Sequence, residues 1–167
     1  DHKIGMKVLL DTLMDSEIGV IHDINEISAI GHRVVAGGEK YSSAVIVDDK
    51  VVDDILELAE IAPLHNKGAV MGINAIREVA NEIPNVVVFD TAYHQTMPDY
   101  NYLYAINKKY YTENNIRRYG AHGTSYAYII KRLGELMGKS PDEINAIVCH
   151  IGGGASVCAI KNGKSYD

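Results

Sequence analysis

The stretch Asn85-Val-Val-Val-Phe-Asp-Thr-Ala-Tyr-His-Gln-Thr-Met-Pro98 decides how the rest of this chain is read. Val86 to Phe89 is a continuous apolar run and reads as a strand buried on both faces. Asp90 follows abruptly, then small, hydroxyl-bearing and imidazole residues, until Pro98 ends the segment. Open α/β sheets hold their ligands at the carboxyl ends of such strands, so Asp90 is a candidate site residue. An Asp there also suits the cap of the next turn, and the remaining segments decide between the two.

Upstream, apolar residues at helical spacing (Met6, Leu9, Leu10, Leu13) predict a helix over Met6 to Met14. A second helical segment is expected from about Ile18 to Ile27, then a strand over Ala29 to Gly38 that runs into a glycine turn. Asp48 to Ala62 reads as a helix capped by Asp48 and stopped by Pro63, and Asn66 to Asn81 as another. Downstream, five tyrosines between Tyr100 and Tyr111 suggest one or two short helices with an amphipathic surface. A helix is predicted from Thr124 to Met137, and Ser140-Pro-Asp-Glu143 carries a helix-start signature. Ile144 to Cys149 reads as a buried strand. Ser156 to Ile160 pairs with a partner beyond Asn162-Gly163, the pair that suits a type I′ hairpin.

Composition bounds the function. The chain has 167 residues, 47% hydrophobic and 23% charged, as expected of a globular protein with a real core. A net charge of −6 disfavours nucleic acid as the main partner, and no apolar run approaches a membrane span. Cys149 and Cys158 lie in strand-like runs and are expected to be buried free thiols in a reducing cytoplasm, with a disulfide as the lesser alternative. A first residue that is not Met and a last hairpin strand of three residues suggest a piece of a longer protein.

Three predicted strands end in polar or glycine-rich turns: Arg33 with Gly37-Gly38, Asp90 with Thr91 and His94, and His150 with Gly152 to Gly154. A fourth segment, Arg117-Arg118-Tyr-Gly-Ala-His122-Gly-Thr-Ser125, opens a helix. Glycine turns and helix starts converge N–H groups on anions, and arginine forks bind carboxylate or phosphate. An aspartate among them orients a nucleophile or holds a metal ion, so the set suits phosphoryl transfer to an oxyanion. Gly152-Gly153-Gly154 is neither a Walker loop nor a dinucleotide fingerprint, and no spacing favours zinc. His22, His32, His65 and His94 read as packed or solvated histidines.

Five groups of residues carry a more specific signal. They are Ile30-Gly-His-Arg-Val-Val35 with Gly37-Gly-Glu39, Ala62-Pro-Leu-His-Asn66, Val88-Phe-Asp-Thr-Ala92 with His94-Gln-Thr-Met-Pro98, Arg117-Arg-Tyr-Gly120 with His122-Gly-Thr-Ser125, and Cys149-His-Ile-Gly152 with Gly154-Ala-Ser156. In order and spacing they resemble the acetate kinase family over essentially the whole chain, as a central segment of it. The resemblance implies an α/β, partial actin-like (ribonuclease-H-like) fold, a mixed sheet flanked by helices and cut at both ends. Residues 1–92 would be the later part of the family's N-terminal domain and 93–167 a helical linker and the start of its nucleotide-binding domain, or 1–167 one compact domain.

The resemblance further implies transfer of the ATP γ-phosphoryl to acetate, with Mg²⁺, in a homodimer. Arg33 would bind the acetate carboxylate and the transferring phosphoryl, Asp90 would lie near the attacking oxygen, and His122 would stabilise the transition state. Val35, Leu64 and Ala121 match the pocket for the acetate methyl. His150, Ile151, Gly152, Gly153 and Gly154 match the loop that cradles the nucleotide phosphates. No protein metal ligand is assigned. Three residues depart from the family pattern: Ala36 replaces the usual His, Ala121 a Phe and Gly153 an Asn. Ala121 would enlarge the acid pocket, which raises propionate or butyrate as acceptors. A folded but inactive segment is the other expectation.

Overall fold

The computed structural model describes residues 2–167, which form two compact units. The first comprises residues up to Ala36 with Ala44–Val88, and the second Gly37–Ser43 with Phe89–Asp167.

In the first unit, α1 (His2–Leu13), α2 (Asp49–Glu57) and α3 (Pro63–Val79) accompany a three-stranded sheet of order β1 (Ile30–Val34), β3 (Asn85–Phe89), β2 (Val45–Ile46). Leu10, Ile76, Ala80 and Ile83 form one apolar cluster, sealed by Met6, Leu13, Ile24 and Ile30. Asp48 caps α2 by accepting the Val51 N–H at 2.8 Å. Pro63 does not stop a helix, as expected from sequence; it occupies the first turn of α3, where its missing N–H costs nothing. The helix expected over Ile18–Ile27 is absent apart from a single 3-10 turn, Ile24–Glu26. Local side chains win there: Asp15 Oδ1 takes the Glu17 and Ile18 N–H groups, and Asp23 with Glu26 closes a capping box. In β3, Asn85, Val87 and Phe89 are buried, whereas Val86 and Val88 are half-buried, so the strand has one fully covered face rather than two.

The buried Asn66 acts as a polar clip in this unit. Its Oδ1 accepts the Ala36 N–H at 3.1 Å, and its Nδ2 donates to the Ala36 and Ile55 carbonyls. Buried backbone at the end of β1 thereby stays paired, which matters more than the net gain of any one bond.

The second unit packs α6 (Gly123–Met137) on an antiparallel sheet of order β4 (Ala146–Ile151), β5 (Ala155–Lys161), β6 (Lys164–Ser165). Tyr126, Ile130, Ile144, Cys158 and Ile160 form its core, each fully buried side chain contributing about 1.5–3 kcal/mol. The Asn162-Gly163 hairpin forms as expected, with φ of 52° and 71°. Between Pro98 and Arg117 the tyrosine-rich stretch makes two short helices, α4 (Asp99–Tyr102) and α5 (Lys109–Asn114).

Strand β4 differs from its sequence reading. One face packs on α6 and the other leaves Ile147 and Ile151 exposed, together with Cys149. Both cysteines are free, but only Cys158 is buried. An apolar run does not distinguish a strand covered on two faces from one covered on a single face.

Candidate active site

Asp90 is the residue at which the apolar run of β3 ends, and its side chain is only 1% exposed. Oδ1 accepts the Thr124 hydroxyl at 2.5 Å, and the Asp90 carbonyl accepts the Gly123 N–H at 3.0 Å. Both donors belong to the first turn of α6, so the carboxylate lies at the positive end of that helix dipole. Thr91 Oγ1 accepts the Gly37 N–H at 2.9 Å, and Gln95 Nε2 donates to the Gly38 carbonyl. These bonds fasten the Gly37-Gly38 turn to the 3-10 segment Ala92–Thr96.

His122 precedes α6 with a left-handed backbone, φ 55°. Its Nδ1 lies 2.7 Å from Ser156 Oγ, which in turn lies 2.5 Å from the hydroxyl of Tyr126. The imidazole stacks on that of His150 at 4.1 Å between centroids, and His150 Nδ1 lies 3.0 Å from Ser125 Oγ. The Gly152–Gly154 turn is closed by the Gly152 N–H donating to the Gly154 carbonyl. A methyl on Gly154 would come 3.1 Å from His122 Nε2, so this nitrogen faces the turn. At Gly153 a side chain would meet nothing within 4 Å, so sterics do not demand the glycine that stands there. Ile151 and the three glycines are exposed.

Asp90, His122, His150 and the glycine turn are thus all built from one unit. Arg33, Val35 and Leu64 belong to the other. Arg33 is exposed on β1, Val35 follows half-buried, and Leu64, in the first turn of α3, is 88% exposed. Ala121 is half-buried and lines a cavity of about 400 Å³ with Met97, Tyr126, Ile147, Ser156 and Val157.

Arg117 and Arg118, read from sequence as anion donors, are engaged elsewhere. The Arg117 guanidinium is buried, stacks 3.5 Å over the Tyr102 ring and pairs with Glu39, which also accepts the Tyr111 hydroxyl. Arg118 pairs with Asp167. Thr124, Ser125, Ser156 and Tyr126 were not singled out as site residues from sequence. The first three lie inside quoted motifs, but their partners come from distant segments of the chain and are visible only in the fold.

His94 is a packed histidine. Nε2 donates to the Ala121 carbonyl at 2.9 Å, and Nδ1 lies 2.7 Å from Ser165 Oγ, whose hydroxyl donates to it when the ring is neutral. Burial, the dominant influence, lowers its pKa below the ordinary 6.5, against the Ala121 hydrogen bond and Asp90, which raise it. Below pH 6.5 the unfolded chain therefore binds more protons at this site than the folded one, so stability falls as pH drops and is full above that value. The thermal midpoint of the second unit is expected to fall between pH 7 and about 5, and His94→Gln to flatten that dependence. Unfolding followed by near-UV circular dichroism across this range checks it.

Comparison with known proteins gives this site a setting. The profile of the acetokinase family matches residues 1–167. The acetate kinases of Clostridium acetobutylicum and Thermotoga petrophila are 50% and 52% identical over the whole chain, which spans 42% and 41% of their lengths. The crystal structure of the Porphyromonas gingivalis acetate kinase superposes with a TM-score of 0.95 at 42% identity, covering 100% of this chain and 42% of that one. A propionate kinase from Francisella tularensis gives 0.91 at 39% identity, covering 99% of this chain and 41% of its own. The architecture is that of part of the actin-like fold. By sequence over its entire length and by structure, the chain belongs to the acetokinase family.

Proposed function

We propose that this chain supplies phosphoryl-transfer groups of an acetate kinase, ATP + acetate giving ADP + acetyl phosphate. One observation carries the reading: Asp90, held by Thr124 at the start of α6, shares a unit with a histidine whose Nε2 faces an exposed glycine turn. In such a transfer positioning and charge neutralisation supply most of the rate. The Gly152–Gly154 turn, through the N–H groups of Gly153 and Gly154 and with His150 and Ile151 beside it, would cradle nucleotide phosphates. His122 would bind the charge that develops on the transferring phosphoryl. Asp90 would orient the attacking carboxylate oxygen. Arg33 would pair with the acid's carboxylate, and Val35 and Leu64 would cover its alkyl end.

Among the described residues no group of three or more His, Cys, Asp and Glu is gathered to hold a metal. Mg²⁺ keeps its waters and takes one or two carboxylates plus substrate phosphates, and the buried Asp90 offers one carboxylate at the start of α6. Asp90 is the carboxylate that would face it, and the ion, when bound, would neutralise phosphate charge. A cytoplasmic homodimer is proposed on the family resemblance and on free cysteines; no described helix is long and apolar enough to cross a membrane.

The test is ATP formation from acetyl phosphate, ADP and Mg²⁺, read by luminescence. Signal that disappears in Asp90→Ala supports catalysis by this chain, whereas signal that survives it belongs to a contaminant. The chain spans about 42% of the curated relatives it matches. Absence of signal from a folded chain therefore selects the second reading, a folded but catalytically inactive segment.

A larger acid than acetate is the alternative substrate, favoured by Ala121 and the cavity it lines. One methylene in such a pocket is worth roughly 10–200-fold in specificity. Ala121→Phe is therefore expected to lower kcat/KM for butyrate relative to acetate by at least about tenfold, in a comparison of acetate, propionate and butyrate.

A further inference from the structure

The hydroxyls behind His122 form a chain with a direction. Tyr126 is fully buried, and the Ser156 hydroxyl is the hydrogen-bond partner its phenol has. Burial, above all, pushes the phenol's pKa up, so its proton stays on. A buried O–H must donate, and among the described residues the acceptor within its reach is Ser156 Oγ. The Ser156 proton is then directed away from Tyr126, onto the next acceptor, which is His122 Nδ1 at 2.7 Å. Nδ1 must offer a lone pair, so the ring proton sits on Nε2, the nitrogen that faces Gly154. The opposite order, Nδ1–H to Ser156 to Tyr126, would leave the phenol proton without an acceptor in the core. His150, stacked on the same ring and tied to Ser125, fixes the ring plane.

We propose that Ser156, backed by Tyr126, is a positioning residue that holds free His122 in its Nε2–H tautomer and aims that proton at the glycine turn. Its use in phosphoryl transfer rests on the function proposed above, but the tautomer itself does not. In that tautomer His122 presents Nε2–H as a donor before any anion arrives, and needs no tautomer exchange to meet one. The carboxylate partner common in histidine-orienting triads is replaced by two hydroxyls, which set direction without adding negative charge beside a phosphate site.

The test reads the tautomer directly, by long-range ¹H–¹⁵N correlation spectra of the histidine rings in the ligand-free chain, with His122→Asn to assign the signal. The wild-type chain is expected to show Nε2–H over Nδ1–H by about fivefold or more, the ratio one net hydrogen bond of about 1 kcal/mol supports. Ser156→Ala is expected to reduce the preference toward an even mixture, Tyr126→Phe to reduce it less, and Ser156→Thr to restore it. The His94 signal, which depends on Ser165 and Ala121, serves as the folding control in each variant. An Nδ1–H pattern in the wild-type chain, or an unchanged His122 pattern in Ser156→Ala with His94 intact, overturns the proposal. Neither result depends on phosphotransfer, so an inactive chain leaves the proposal fully testable.

Discussion

Replacing Gly120 with alanine is expected to cost the second unit about 3–5 kcal/mol, a large share of the roughly 5–15 kcal/mol that holds an ordinary domain folded. Two independent effects add. Gly120 has φ 81°, a left-handed conformation that costs a residue with a Cβ roughly 1–2 kcal/mol. The added methyl would also overlap Cγ and Cδ2 of the His94 ring. That ring cannot retreat, because both of its nitrogens are committed to Ser165 and the Ala121 carbonyl, and it packs against Tyr126 in a T-shaped contact. Gly138→Ala is the matched control: its φ is 64°, but its Cβ would meet nothing within 4 Å, so only the conformational cost should be seen. Chemical denaturation of the two variants separates the terms.

The second large effect concerns Asp90→Asn. Wherever phosphotransfer by this sequence is measurable, the change is expected to lower kcat by roughly 10³-fold, the scale of removing one preorganised charge from such a site. Asparagine keeps the shape and retains an oxygen that accepts the Thr124 hydroxyl, so the thermal midpoint should move far less than the rate. A parallel loss of midpoint and activity would instead make Asp90 a helix-capping residue, the plainer role that its hold on the start of α6 also permits. Thr124→Val sharpens the contrast: it removes the hydroxyl that orients the carboxylate while leaving the charge. It is expected to lower kcat with little change in KM.

Where sequence reading succeeded, short-range chemistry was decisive. The β3 strand, the Asp48 cap and the Asn162-Gly163 hairpin are each dictated by neighbours within four residues, and each formed, although β3 has one fully covered face and not the two expected. It failed where two local signals competed. Ile18–Ile27 has helical spacing, but Asp15 and Asp23 offer the backbone other partners, and the Gly19 N–H and the Val20 N–H turn back to Asp15 and Leu13. Pro63 was read as an ending when it is a beginning, because proline suits both sides of that boundary. In β4 the sequence says that a strand is apolar but not how many of its faces are covered.

The candidate site was legible in residue type and not in connection. Asp90, His122 and the Gly152–Gly154 turn stand out as chemistry-bearing residues at element ends. Nothing along the chain says that Thr124 would bind Asp90, that His150 would stack on His122, or that Tyr126 would reach Ser156. Those contacts join residues 30 or more positions apart in the first and last cases, and depend on the sheet register that sets Ser156 opposite His150. The arginines show the converse. Arg117 looked like an anion donor, yet the fold buries it against Tyr102 and Glu39.

The most direct test of a phosphoryl site in the second unit is a titration of the isotope-labelled chain with Mg·ADP, and separately with acetyl phosphate, followed by NMR. Saturable shifts are expected at the Gly152, Gly153 and Gly154 amides and in the His122 ring. Shifts confined to the 580 Å³ cavity of the first unit, lined by Ile46, Asp49, Arg77 and Asn85, would contradict the assignment. So would a folded chain that shows no saturable shift with either ligand.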